Sequence, residues 1–168
     1  CVLYLEARGW EGVRMTFCPE TRIHGVFFPE AAFRDAKSYW QHFGKIISSR
    51  RAEAALEGRD AAPGGPEAKQ MIRERIATFV GESADRVLLF PSGMAAMSQA
   101  MRVVQAHCPG ARSIQLGFPY VDVFKVQTVT GPGSHFVSDY NLDEVARILA
   151  SETISAIVCE FPGNPLLG

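Results

Sequence analysis

The segment Val87-Leu-Leu-Phe-Pro-Ser-Gly-Met-Ala-Ala-Met97 limits the possible folds more than any other part of the chain. Val87 to Phe90 are consecutive large apolar residues, a run that suits a fully buried parallel strand. Pro91, Ser92 and Gly93 break that strand, and Met94, Met97, Met101 and Val104 then recur at helical spacing. The segment reads strand, tight turn, helix, with Ser92 and Gly93 at the helix start. First-turn amides without intrahelical partners and the positive end of the helix dipole make such a turn a phosphate cup. Ser92 adds a hydroxyl, and Gly93 permits close approach to the backbone. The alternative is an ordinary capped βα junction, because Ser and Gly are common at N-caps.

The rest of the chain supplies more of the same alternation. Val2-Leu-Tyr-Leu5 reads as a strand and Gly25-Val-Phe-Phe28 as another short apolar run. Pro29 and Glu30 open a helix over Ala31 to His42, with Phe33, Ala36, Trp40 and Phe43 on one face and Gly44 as its terminator. Residues 46–57 form a second helix with Ser48 and Ser49 as candidate caps. Arg50 and Arg51 at its start are unfavourable to the helix dipole unless solvated or facing an anion. Gly58 to Pro66 is the clearest loop and marks a boundary between segments 1–62 and 63–168. Pro66 starts a helix through Val80, with Ala68, Met71, Ile72, Ile76, Phe79 and Val80 as its apolar stripe.

Ser113 to Gly117 is the next strand, Val123, Phe124 and Val126 belong to a helical stretch, and His135 to Val137 is a short strand. Asn141 caps a helix carrying Leu142, Val145, Ile148 and Leu149, with Glu144 at the capping-box position. Ile154 to Phe161 reads as a buried strand. Strands alternating with helices imply an α/β fold with a doubly wound, mainly parallel sheet.

Composition excludes several classes. The 168 residues are 47% hydrophobic and 21% charged, values of a globular domain rather than a disordered chain. A net charge of −1 predicts neither nucleic acid nor an anionic membrane as partner. No apolar run approaches the ~20 residues needed to span a bilayer. Cys1, Cys18, Cys108 and Cys159 are scattered, which suits reduced thiols in a cytoplasmic protein. His24, His42, His107 and His135 show no metal-ligand spacing, so no metal site is expected. Ser92 lacks the G-x-S-x-G context of a hydrolase nucleophile. The chain opens without Met and stops after an apolar pair, which reads as a piece of a longer polypeptide.

In a parallel α/β sheet, ligands bind beyond the carboxyl ends of the strands. Three such ends carry unusual residues: Pro91 to Met94, Gly117 to Tyr120, and Glu160 to Pro165. They offer a phosphate cup, an aromatic ring and an Asn164 amide, a set that suits a flat, phosphorylated aromatic ligand. Each has an unremarkable alternative: Tyr120 as a half-buried core aromatic, Asn164 as a turn former, Glu160 as a solvated strand end.

Phe90-Pro-Ser-Gly-Met-Ala-Ala96, Glu160-Phe-Pro-Gly-Asn-Pro-Leu-Leu167 and Trp40-Gln-His-Phe-Gly-Lys-Ile-Ile-Ser-Ser-Arg-Arg-Ala-Glu53 together resemble the cystathionine γ-synthase family. That family is the Cys/Met-metabolism group of pyridoxal-phosphate (PLP) enzymes. The Trp-Gln-His and Gly-Phe-Pro-Tyr-Val-Asp stretches most resemble its fungal branch. The resemblance covers residues 30–168 and implies PLP-dependent transferase fold type I (aspartate aminotransferase-like), with an incomplete large domain. It also implies roles. Gly93 and Met94 amides hold the cofactor phosphate, with Ser92 in the same turn. Arg50 reaches the phosphate of a neighbouring subunit's cofactor, which implies a homodimer or homotetramer with shared sites. Tyr120 stacks on the pyridine ring, with Phe118 as the alternative, and Asn164 contacts the 3′ oxygen. Ser48 stands where the family has a tyrosine, and Phe-Pro-Tyr replaces its usual Tyr-Gly-Gly-Thr.

The family's Schiff-base lysine and its acidic partner for the ring nitrogen follow the Asn-Pro-Leu motif. Lys37, Lys45, Lys69 and Lys125 have no such context, so the 168-residue piece by itself is expected to be inactive. For the whole protein the resemblance implies γ-replacement on an O-acylhomoserine by cysteine or another thiol. Sulfhydrylation and β- or γ-elimination are the alternatives within the family. A non-catalytic phosphate-binding or assembly domain is the alternative outside it.

Overall fold

The computed structural model describes residues 1–59, 65–129 and 131–163. They fall into two compact units, Cys1–Ala36 with Lys45–Pro91, and Lys37–Gly44 with the residues from Ser92 on. Among the described residues no helix is long and apolar enough to cross a membrane.

The first unit opens with α1 (Val2–Glu6), where a strand is expected from Val2-Leu-Tyr-Leu5. A short apolar run does not distinguish helix from strand by itself. Among the described residues it has no partner strand, and β1 (Arg14–Cys18) and β2 (Ile23–Phe27) pair antiparallel with each other. The run instead closes local hydrogen bonds, Leu5 N–H to the Cys1 carbonyl at 3.0 Å, and buries Tyr4 and Leu5. Asp35 ties down the chain that follows: it accepts from Trp10 Nε1 at 2.7 Å and pairs with Arg8 at 3.5 Å. The β1–β2 hairpin has cross-strand side-chain pairs at register positions, Arg14 over Phe27 and Phe17 beside His24.

A 3₁₀ turn, Glu30–Ala32, leads into α2 (Phe33–Phe43), which gives its first turn to this unit and the rest to the second. Helix α3 (Ser49–Leu56) lies within the expected 46–57 stretch and begins after one of its two candidate caps. Ser48 is its cap, its Oγ accepting from Arg51 N–H at 3.2 Å. Helix α4 (Gly65–Val80) is present, but its expected apolar stripe is not a core: Met71 is 69% and Phe79 81% exposed, and Ala77 is its buried residue. The loop expected at Gly58–Pro66 lies largely outside the described residues. The strand expected at Val87–Phe90 is also corrected. It joins no ladder among the described residues, and Leu88 is 71% exposed. An apolar run becomes a strand only when a partner takes its backbone hydrogen bonds.

The second unit holds α5 (Gly93–His107), β3 (Ser113–Leu116), α6 (Val121–Val129), β4 (Ser134–Val137), α7 (Leu142–Ser151) and β5 (Ile157–Cys159). The three strands form a parallel sheet in the order β4-β3-β5. Leu116 is level with Val137 and with Cys159, so the carboxyl ends align. Strand β5 is shorter and less buried than the expected Ile154–Phe161, with Ile157 49% exposed. Among the described residues it is an edge strand, bonded on one side only.

Side chains alternate across β3 and face two different environments. Ile114 packs with Val137, Val145 and Ile148, with Leu116 and Ile154 beside them, which places α7 on an apolar face. Ser113 and Gln115 point the other way, toward α6. Gln127 Nε2 donates to Gln115 Oε1 at 2.7 Å, and Ser113 Oγ donates to Gln127 Oε1 at 2.8 Å. All three are buried. Helices therefore cover both faces of β3. Asn141 caps α7 as expected, accepting from Glu144 N–H at 3.1 Å.

Two predictions follow from this packing. Gln127→Leu strands the Ser113 hydroxyl and the Gln115 amide in the interior, so it should cost about 2 to 4 kcal/mol, read from urea unfolding of the full-length protein. At the opposite edge of the sheet, Glu152 accepts from Arg112 at 3.0 and 2.6 Å and pairs with His135 at 2.8 Å. Arg112 first and His135 second hold its carboxyl below the usual glutamate value. A lowered folded-state pKa adds stability above the unfolded pKa and loses it as pH falls through the folded one. Glu152→Gln should therefore lower the unfolding midpoint at neutral pH and flatten its acid limb.

Candidate functional site

Ser92 caps α5 with extended backbone, and its hydroxyl is fully used: Oγ accepts from Ala95 N–H at 3.1 Å and donates to the Gly44 carbonyl at 3.2 Å. The first helical bond runs from Ala96 N–H to the Ser92 carbonyl. The Gly93 and Met94 amides precede it, so they have no intrahelical acceptor. The space where a Gly93 Cβ would stand is open.

Gly44 is required where it sits. Its φ is +59°, and a Cβ there would collide with Ser92 Oγ and lie 2.9 Å from Met94 Cβ. From sequence, Gly44 reads only as a helix terminator. Two residues earlier, His42 Nδ1 lies 2.7 Å from Asp122 Oδ1. An ionised carboxylate only accepts, so Nδ1–H is the donor. Both side chains are largely buried, 20% and 17% exposed. Between them in the chain, Phe43 is buried and stacked on Tyr39 with ring centroids 4.4 Å apart.

The second half of the site follows β3. Tyr120 N–H donates to Glu160 Oε1 at 2.9 Å, joining the ends of β3 and β5. Asp122, in the first turn of α6, pushes the Tyr120 phenol above its usual pKa, first as a neighbouring hydrogen-bond acceptor and second through its charge. The ring is half exposed, as is that of Phe118.

The segment 42–44 thus touches the start of α5 through Gly44 and the start of α6 through His42. Such a segment spans roughly 7 Å at most. One short segment therefore links the start of α5 to the start of α6, and Tyr120 stands two residues before Asp122 at the end of β3. Arg50 is elsewhere in the chain, exposed in the first turn of α3 in the first unit. Its neighbour Arg51 donates from Nη2 to the Thr21 carbonyl at 2.9 Å. Asn164 lies outside the described residues. His42, Gly44 and Asp122 are the site residues to which sequence reasoning assigns no role, although His42 and Asp122 sit within the quoted Trp-Gln-His and Pro-Tyr-Val-Asp stretches.

The family described as "Fungal trans-sulfuration enzyme, N-terminal domain" matches residues 7–48, which include His42 and Gly44. The chain is 27% identical to cystathionine gamma-synthase-like enzyme iboG2 of Amanita muscaria, over 99% of its own length and 44% of the relative's. It is 31% identical to cystathionine gamma-synthase of Neurospora crassa, over 84% of the chain and 25% of the relative. The chain is a relative of the fungal cystathionine γ-synthase-like proteins. This cystathionine γ-synthase-like chain spans less than half the length of these relatives. Alanine racemase ungC of Aspergillus violaceofuscus is 30% identical over 86% of the chain and 32% of the relative. No solved structure matches the chain.

The contact between Gly44 and the α5 start yields a ranked prediction for this cystathionine γ-synthase relative. Ser92→Ala loses one cap and should cost about 1 kcal/mol. Gly44→Ala adds left-handed backbone strain to a collision and should cost roughly 2 to 4 kcal/mol. Urea unfolding of the two variants side by side checks the order.

Proposed function

We propose that this chain is the front part of a PLP-dependent enzyme of fold type I that performs γ-replacement, exchanging the acyloxy group of an O-acylhomoserine for cysteine or another thiol. One observation supports the reading: segment 42–44 bonds both to the start of α5 and to Asp122 at the start of α6, two residues after the half-exposed Tyr120. That pairing suits a phosphate joined to a flat ring. The relatedness to cystathionine γ-synthase-like proteins supports the same ligand.

In this reading the Gly93 and Met94 amides donate to the phosphate, where the α5 dipole also favours negative charge. Ser92 shapes the cup and keeps its own hydroxyl for Ala95 and Gly44. The Tyr120 ring covers one face of the pyridine, and Asn164 donates to the ring's 3′ oxygen. When bound, the pyridine ring supplies an electron sink for proton removal from the amino-acid substrate. Arg50 serves the phosphate of a second subunit's cofactor, which makes the working protein a homodimer or homotetramer. Segment 1–62 contributes to the neighbour's site, and 63–168 is the first part of the cofactor-binding domain. The lysine that anchors the cofactor and the acid that faces its ring nitrogen are assigned to sequence after Gly168. The protein works in the cytoplasm.

The test uses the full-length protein. It should purify with the visible absorbance of bound PLP and turn over an O-acylhomoserine and cysteine to a thioether. A preparation that neither retains nor takes up PLP overturns the reading. Sulfide in place of cysteine, substrate without a thiol, and alanine alone separate sulfhydrylation, elimination and the racemase activity named for one relative. Gly93→Asp is the sharpest variant. A carboxylate suits the first turn of a helix, so the fold should hold. The same charge fills the cup, and PLP retention should fall roughly tenfold or more.

A further inference from the structure

The leading amides of a helix have no partner inside it, so the first turn frays unless groups outside the helix hold it. In α5 the holder is the chain that leaves α2. The Gly44 carbonyl accepts from Ser92 Oγ at 3.2 Å, and Ser92 Oγ accepts from Ala95 N–H at 3.1 Å. Gly44 lies so close to this turn that a Cβ on it would stand 2.9 Å from Met94 Cβ and 3.1 Å from the Ala95 nitrogen. Glycine is the residue with most backbone freedom, so Gly44, at a φ of +59°, depends on its neighbours to stay there. The restraint sits two residues upstream. His42, in the last turn of α2, meets Asp122, in the first turn of α6, at 2.7 Å between Nδ1 and Oδ1. The carboxylate is at a helix end that favours negative charge, and both side chains are largely buried. A hydrogen bond to a charged acceptor is roughly twice as strong as a neutral one. Phe43, between His42 and Gly44, is buried as well. All of these residues belong to the second unit.

We propose that His42 and Asp122 are positioning residues for the start of α5. Their bond fixes the end of α2 against α6, the fixed end sets the Gly44 carbonyl, and that carbonyl sets Ser92 and the turn carrying the Gly93 and Met94 amides. The inference rests on the reading of those two amides as the phosphate donors, and Tyr120 has no part in it. Neither His42 nor Asp122 touches the phosphate; both act through Gly44 and Ser92. Two amides hold an anion tightly when their N–H groups are already aimed, because ordering them during binding subtracts from the affinity.

The experiment uses the full-length protein with His42→Ala, His42→Asn, Asp122→Asn, Ser92→Ala, and His42→Ala combined with Ser92→Ala. Gly93→Asp tests the cup on its own. Glu152→Gln, whose contacts are with Arg112 and His135, reports what loss of stability alone does. Two readouts besides turnover are hydrogen exchange of the 93–96 amides in the PLP-free protein and the rate at which bound PLP passes to an excess of a PLP-free acceptor enzyme. His42→Ala should speed both about three- to tenfold, and Asp122→Asn should move them the same way, since a neutral amide oxygen accepts less strongly. His42→Asn keeps an N–H donor near the place of Nδ1 and should recover most of the wild-type behaviour. The combined variant should be no worse than Ser92→Ala alone, because both changes cut one route. Glu152→Gln should leave both rates at wild-type values. Should His42→Ala fail to fold, Asp122→Asn takes its place in the comparison. The proposal is overturned, with the cup reading intact, if Gly93→Asp weakens PLP retention while His42→Ala or its substitute leaves exchange and PLP loss at wild-type values. A combined variant whose effect is the sum of the two single ones overturns it too. If Gly93→Asp leaves PLP retention unchanged, the cup reading falls, and this inference with it.

Discussion

The site depends on two hydrogen bonds made two residues apart in the chain, His42 to Asp122 and Ser92 to the Gly44 carbonyl. They draw together the beginnings of α5 and α6, two helix ends that both carry partial positive charge. Bringing such ends together is unfavourable without acceptors between them. The Asp122 carboxylate and the Gly44 carbonyl are those acceptors, and each faces a helix start. The electrostatic demand left over at Gly93 and Met94 is for an anion.

The second support is β3, bonded to a strand on each edge and covered by a helix on each face. Its α7 face is apolar and held by burial. Its α6 face is polar and held by Gln127, which meets Gln115 and Ser113 in the interior. A satisfied buried network of this kind fixes the rotation of a helix more narrowly than apolar contact does. On α6, Asp122 lies five residues before Gln127, about 140° around the helix. Gln127 faces the sheet and Asp122 faces His42, so the buried amide network sets the direction in which the Asp122 carboxylate points.

Much of this architecture was legible in the chain. The Ser92 and Asn141 caps, α2, α4, α5, α7, β3 and β4 follow from local rules, because capping, helical spacing and strand-length apolar runs act over a few residues. The failures share one cause. Val2–Leu5 and Val87–Phe90 were read as strands and the α4 residues as an apolar stripe, yet strand pairing and burial need a partner that sequence does not name. Among the described residues Val2–Leu5 has no strand to pair with, and it closes a helical turn. Among the described residues Val87–Phe90 joins no ladder, and the α4 stripe faces outward. At the site, the Ser92–Met94 cup was recognisable as a helix start, whereas the His42–Asp122 contact joins residues 80 apart and has no local signature. Gly44 was visible only as a helix terminator because its crowding by Ser92 exists only after folding.

The sequence by itself determined the alternation of helices and strands, the capped turn at Ser92 and Gly93, and the motifs that tie the chain to cystathionine γ-synthase-like proteins. These are properties of neighbouring residues, and backbone geometry and capping chemistry act locally. Only the tertiary structure decided that His42 holds Asp122, that Gly44 must be glycine, and that the Tyr120 amide is tied to Glu160. Those facts come from contacts between distant segments, whose energies arise from shared burial and charge and are written in no single stretch of the chain.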